Sequence, residues 1–269
     1  MISPRSFVCP HRTKGLRAVA SGHSGRLREI RDTRRVLVAV QELEGIRTLA
    51  LQRAPVNALD LELAEAIAAA LEAARDAASC RAVVLTGMPG VFSAGIDTRR
   101  VPGYDAPTRA RMLRTVNRSI ATLYGLPKPV VAAISGHALG GGLVLAIACD
   151  VRLAARGEFR LGLTEVEAGI PFPAGPLAVV QAELSPESLR RLVLATPTLR
   201  PDAPALAGVV DRVVEPVALR DEALAEARRL AAFPAYPRVK AQLRGATCER
   251  LRRIAEDDHD PLLAGWIQR

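Results

Sequence analysis

Two glycine-bearing segments hold the residues best able to do chemistry. The first is Ser135-Gly136-His137-Ala138-Leu139-Gly140-Gly141-Gly142-Leu143-Val144, in which three consecutive glycines separate an apolar, strand-like stretch from a helical one. Such a junction leaves backbone N–H groups without partners inside the helix. The helix dipole adds roughly half a positive charge at the same end, so a developing oxyanion is stabilised there. Glycine also lets a substrate approach the backbone closely. The second segment, Phe92-Ser93-Ala94-Gly95-Ile96-Asp97, follows the apolar run Ala82–Thr86. It stands at a strand's carboxyl end, where ligands of α/β sheets bind. One amide from each segment would supply the two donors of an oxyanion hole. On the glycines alone, a tight packing crossing accounts for the first segment as well as function does. A dinucleotide fingerprint is excluded, because Leu145 stands where the last glycine of G-x-G-x-x-G would fall, and no Gly-Lys-Ser/Thr follows to make a phosphate loop.

The elements that must position these segments can be read from periodicity and turn residues. Residues 36–40 form a strand, Glu44-Gly45 turns it, and 46–52 is its hairpin partner. Asp60 caps an Ala-rich helix over 61–75. A strand at 82–86, a helix over 107–124, a strand at 129–134 buried on both faces, a helix through Ala148 and a strand at 151–154 follow. One more strand at 208–214 precedes helices over 217–232 and 237–255 and a terminal piece around Trp266. Strands and helices alternating at this rhythm predict an α/β domain with mostly parallel sheets and right-handed crossovers.

Composition narrows the function classes. The 269 residues are 49% hydrophobic, 24% charged and only 3% aromatic, so the core must be built from Ala, Leu, Val and Ile. The net charge of +9 is concentrated in the first 35 residues, which carry nine basic and two acidic side chains. The remainder is an ordinary mixed surface with no basic stripe interleaved with aromatics, which argues against nucleic-acid binding. Residues 1–35 read as a basic, disordered leader or the product of an upstream start, although an Arg-rich, acid-poor leader also fits an organelle transit peptide. Residues 36–200 are expected to form the core domain and 201–269 a C-terminal strand and helical subdomain. Cys9, Cys80, Cys149 and Cys248 are widely spaced, as are His11, His23, His137 and His259, so neither a disulfide framework nor a metal site is expected. No apolar run reaches the ~20 residues of a membrane helix, and the start lacks a secretory apolar region; a cytoplasmic location is expected.

A series of motifs then gives a specific resemblance. Arg53-Ala54-Pro55-Val56-Asn57-Ala58-Leu59, Phe92 to Asp97, Gly136 to Gly142, Cys149-Asp150, Gly162-Leu163-Thr164-Glu165 and Gly169-Ile170-Pro171 occur in order, followed by Gly208-Val209-Val210-Asp211. From about Val36 onward the chain resembles the enoyl-CoA hydratase/isomerase (crotonase) superfamily. The resemblance implies a crotonase-like ββα superhelix, two roughly perpendicular sheets surrounded by helices, with a C-terminal helical subdomain, assembled as a trimer or dimer of trimers. It implies an acyl-CoA thioester substrate whose carbonyl lies between the amides of Ile96 and Gly141. Ala94 and Asp97 would border the CoA and acyl path, and Glu165 would handle the substrate proton. Arg53, Arg99 and Arg100 are candidates for the CoA phosphates, with solvated surface arginines as the plainer reading. No cofactor is implied beyond the coenzyme A of the substrate.

One departure directs the choice of reaction. Hydratases of this family carry a second glutamate three residues after the oxyanion glycine, where this chain has Val144. Adding water across a conjugated double bond takes two proton-handling groups, whereas shifting a double bond takes one base. The single-glutamate pattern resembles the enoyl-CoA isomerases. It requires Glu165 to sit in an apolar pocket that raises its pKa towards neutrality, with Leu143, Val144 and Phe172 as the expected lining. Hydratase activity, another reaction of the family (thioester hydrolysis, decarboxylation or C–C cleavage) and non-catalytic acyl-CoA binding are the alternatives.

Overall fold

The computed structural model describes residues 36–256 and 259–266, so the expected leader at 1–35 lies outside the described residues. The larger sheet has strand order β1-β2-β3-β5-β7-β9, formed by Val38–Leu43, Ile46–Leu51, Ala82–Thr86, Val130–Ile134, Val151–Ala155 and Arg212–Val214. The β1–β2 hairpin is antiparallel and every other pairing in this sheet is parallel. A second, three-stranded parallel sheet joins β4 (Gly90–Ser93), β6 (Gly136–Leu139) and β8 (Leu161–Gly162).

The sequence patterns place the helices on either side of residues 165–189, but not the three within that stretch. Asp60 caps α1 (Leu61–Asp76) by accepting a hydrogen bond from the Leu63 N–H, and Asp105 does the same for α2 (Ala106–Tyr124) through Thr108. They are followed by α3 (Gly141–Ile147), α4 (Glu165–Ala168), α5 (Ala174–Glu183), α6 (Pro186–Leu189), α7 (Leu219–Ala231) and α8 (Tyr236–Glu256). One face of the large sheet packs on α1 and α2 through Leu63, Ile67, Leu71, Ile120 and Leu123 against Leu49, Val83, Leu85 and Ala132. The other face is covered by α7, whose Leu219, Ala223, Leu224, Ala227 and Leu230 meet Val84, Val131, Ala133 and Leu153. Strands buried on both faces explain the unbroken apolar runs at β3 and β5.

One expectation is revised. The strand expected at 208–214 is only Arg212–Val214, because Gly208 adopts a left-handed φ of +80° and the chain turns before pairing begins. The small sheet was not anticipated from periodicity: its strands are two to four residues long and run through segments that read as glycine loops. The described residues from Val36 onward form one compact unit, in which α7 completes the sheet's packing and α8 lies against α2 and α5. Among the described residues no helix is long and apolar enough to cross a membrane.

Candidate active site

The two glycine segments meet because each ends a strand of the small sheet, β4 leading into Ala94-Gly95-Ile96 and β6 into Gly140-Gly141. Their contact leaves no room for side chains. A Cβ on Gly95, whose φ is +78°, would lie 2.6 Å from the Leu139 carbonyl oxygen and 3.1 Å from the Gly141 nitrogen. A Cβ on Gly142 would lie 2.3 Å from the Ser93 oxygen. Glycine therefore serves packing at Gly142 and the approach of the two loops at Gly95. Among the described residues, neither the Ile96 nor the Gly141 N–H enters a backbone hydrogen bond. Gly141 opens α3, where the first-turn amides have no partner inside the helix.

The loop bearing Ile96 is fixed from beneath by two buried polar side chains. Asn57 donates through Nδ2 to the carbonyl oxygens of Leu51 and Phe92 and accepts from the Arg53 N–H. Ser93 Oγ donates to the Asn57 carbonyl at 2.7 Å and accepts from the Gly95 N–H. On either side of Ile96, the Leu59 N–H donates to the Gly95 carbonyl and the Asp97 N–H to the Leu59 carbonyl. Both Asn57 and Ser93 stood in the sequence motifs without an assigned role. Their isolated polar character amid apolar residues was the available signal.

Glu165 opens α4 and is 9% exposed. A Cβ on Gly140 would lie 3.5 Å from its Oε1, so the carboxylate stands beside the glycine junction. Its Oε2 is buried and, among the described residues, has no hydrogen-bond partner. The carboxylate faces a narrow cavity of about 50 Å³ that Ile96, Gly141 and Val144 also line. Burial pushes its pKa up from 4.5 to about 7, only partly offset by its own backbone N–H. A carboxyl poised there can take a proton and return it at neutral pH.

The expected residues separate into those at this cavity and those away from it. Ile96, Gly141, Val144 and Glu165 converge on it. Leu143 and Phe172 are not among its lining. On α3 the positions i, i+3 and i+4 share a face, which turns Gly141, Val144 and Leu145 to the cavity and Leu143 into the core. Phe172 faces a different hollow, beside Leu177, Ile254 and Leu262, while its neighbours Ile170 and Pro173 make the cavity wall. The remaining wall comes from Leu59, which closes the first motif, and from α1, α2 and Pro176 of α5, which the motif series did not mark.

Around the loop, the charged candidates are mostly engaged with one another. Arg53 donates to the fully buried Asp60 through Nε and Nη2, and its Nη1 lies 3.9 Å from Asp97. Arg100 also donates to Asp60. The Asp97 carboxylate accepts from the Arg99 and Arg100 N–H groups, just before the short helical turn at Val101–Gly103. Ala94 donates its N–H to the Val56 carbonyl. Arg99 is exposed.

The two-sheet α/β architecture, with a buried carboxylate beside a glycine junction, is crotonase-like. A family model described as enoyl-CoA hydratase/isomerase matches residues 41–260, and the chain belongs to that family. It is 33% identical over 233 residues to human "Enoyl-CoA delta isomerase 1, mitochondrial", covering 85% of this chain and 76% of that protein. It is also 33% identical over 195 residues to "Probable enoyl-CoA hydratase echA17" of Mycobacterium avium, covering 71% and 74%. Among solved structures, human mitochondrial delta3-delta2-enoyl-CoA isomerase superposes with a TM-score of 0.76 at 30% identity, over 82% of this chain and 88% of that one. An enoyl-CoA hydratase/isomerase family protein from Pseudomonas syringae gives 0.77 at 27% identity, over 86% and 98%.

Proposed function

We propose that this protein is an enoyl-CoA isomerase that moves a 3,4 double bond of an enoyl-CoA thioester into conjugation with the carbonyl. The observation that carries this reading is Glu165: among the residues lining the apolar cavity it is the sole ionisable side chain, and the position one turn into α3 is Val144. In this mechanism Glu165 removes the α proton, the Ile96 and Gly141 amides hold the oxygen of the resulting dienolate, and Glu165 returns the proton at the γ carbon. The net change is a 1,3 proton shift with no other reactant. A removed donor in such a site typically costs about 3 to 4 kcal/mol of the barrier, so the amide pair matters as much as the base. No cofactor enters beyond the coenzyme A of the substrate, and Arg99, exposed near the loop, is the arginine freest to meet its phosphates.

Hydration of a 2-enoyl-CoA is the second reading, favoured by the naming of the mycobacterial relative as a probable hydratase. The two are separated by assaying isomerisation of a 3-enoyl-CoA and hydration of crotonyl-CoA in parallel, with Glu165→Gln as control. Isomerisation that disappears in the variant, with negligible hydration, is the expected result. Rapid hydration by the unaltered protein would defeat the single-base mechanism. The same reading includes a cytoplasmic homotrimer or dimer of trimers, which sedimentation of the full chain tests. The exposed Val239 and Leu243 on α8 and the exposed Leu194 are apolar surface that such an assembly would cover.

A further inference from the structure

The cavity beside Glu165 has two kinds of wall. Ile96 and Gly141 at one side are partly exposed, whereas Ala64 and Ile67 of α1 and Ser119 and Ile120 of α2 are all buried. The cavity therefore runs inward from the glycine junction to the place where these two helices cross. At that crossing the facing residues are small. Ser119 Oγ lies 3.5 Å from the Ala64 carbonyl oxygen, and its proton is taken by the Thr115 carbonyl of its own helix at 2.8 Å. A hydroxyl satisfied in this way leaves no unmet donor facing the cavity, so the wall behaves as apolar. Next along the same helix faces stand Leu71 and Leu123, both fully buried.

From this geometry we infer that Ala64 and Ser119 set the length of acyl chain the protein accepts, and that the chain is an unbranched aliphatic one. The inference rests on the acyl-CoA reading of the site. The thioester end lies at Ile96 and Gly141, the tail passes Val144 and Glu165, and its terminal carbons lodge in the gap between Ala64 and Ser119. Ile67 and Ile120, which line the same cavity, flank that gap. A narrow cavity lined by Ile, Leu and Val side chains suits a slim chain better than a ring. A larger side chain at either small position fills the inner end first and leaves the reacting end as it is.

The test is equilibrium binding of butyryl-, hexanoyl-, octanoyl- and decanoyl-CoA to the full-length protein and to Ala64→Val, Ser119→Leu and Ser119→Gly, with isomerisation of matched 3-enoyl-CoAs measured beside it. One methylene too many in a filled pocket discriminates by about tenfold or more. Ala64→Val and Ser119→Leu are expected to shift the affinity ratio towards the shorter chains by about that factor, and Ser119→Gly to shift it towards the longer ones. The glycine variant keeps the test open if a filling variant does not fold, as judged by circular dichroism. Phenylacetyl-CoA, with as many acyl carbons as octanoyl-CoA, is expected to bind more weakly than it. Equal effects on every chain length, or tighter binding of phenylacetyl-CoA, would overturn the inference. Ratio shifts without any isomerisation would uphold it while overturning the double-bond reading. Failure of every acyl-CoA to bind would overturn both.

Discussion

Trp266 donates its indole N–H to the carbonyl oxygen of Pro171 at 3.2 Å, which ties the C-terminal segment to the loop that follows Glu165. The ring is 3% exposed and packs with Met112, Leu113 and Ile170. Ile170 is itself a wall of the cavity, and its N–H donates to the Glu165 carbonyl at 2.9 Å. Asp260 anchors the same segment by accepting from Asn117 Nδ2 and the Ala174 N–H, both at 2.8 Å. Far apart in sequence, these groups hold the base in place.

Trp266→Phe removes one hydrogen bond and should lower stability by about 1 kcal/mol. Trp266→Ala also empties the space behind Ile170 and should cost about 3 to 5 kcal/mol. In the alanine variant, water reaching Glu165 should move the lower limb of the pH profile of kcat/KM downward from about 7, since burial is what raised that pKa. Thermal melts and the pH profile check both. An unmoved limb in a folded alanine variant would mean that Trp266 supports the fold and not the base.

Glu165→Gln should be inactive and yet more stable at high pH. The folded-state pKa, about 7, lies above the ordinary 4.5. The neutral carboxyl is accommodated below 4.5, and stability is lost as the pH rises from there through 7. Glutamine carries no such dependence. The variant should therefore resemble the parent at acid pH and exceed it by roughly 3 kcal/mol above neutrality, as 1.36 kcal/mol per pKa unit implies. Urea unfolding at several pH values gives the answer, and parallel stability curves for the two proteins would refute it.

Asn57→Ala should damage both fold and catalysis. It deprives the Phe92 and Leu51 carbonyls and the Arg53 N–H of their partner. Each buried group left unsatisfied costs about 1 to 3 kcal/mol. The Phe92 carbonyl lies four residues before Ile96, so the loop carrying that amide should loosen. A fall in kcat larger than the rise in KM is expected, because the amide acts on the dienolate more than on the bound substrate. A change confined to KM would place the effect in substrate binding instead.

Much of this was legible in the sequence because the informative residues are local. The Asp60 cap, the β1–β2 hairpin and the apolar runs at β3 and β5 follow from short-range rules, and the glycine junction announced itself by composition. What escaped was decided by tertiary contact. Phe172 and Leu143 looked like pocket residues, but the turn after Gly169 and the helical phase of α3 direct them elsewhere. Ser119 and Ala64 carry no sequence signal at all, since a small residue on a helix becomes a cavity wall only through the helix opposite. Arg53 was one candidate for the CoA phosphates, and its pairing with Asp60, seven residues away on the helix cap, left no mark in the motif.

Val144→Glu tests the reaction assignment from the opposite direction. Val144 is 1% exposed and shares the cavity with Glu165, so the new carboxyl would be buried without an obvious partner. Two such groups in an apolar space cannot both ionise easily, and they should titrate as a pair with one pKa raised further. A stability loss of about 2 to 5 kcal/mol at neutral pH is expected, shrinking in acid as both groups become neutral. In exchange the site would hold one carboxylate able to activate water and one carboxylic acid able to deliver a proton. Crotonyl-CoA hydration should then rise above the level of the unaltered protein while isomerisation falls. A folded variant that hydrates no faster would show that a second acid is not what the site lacks.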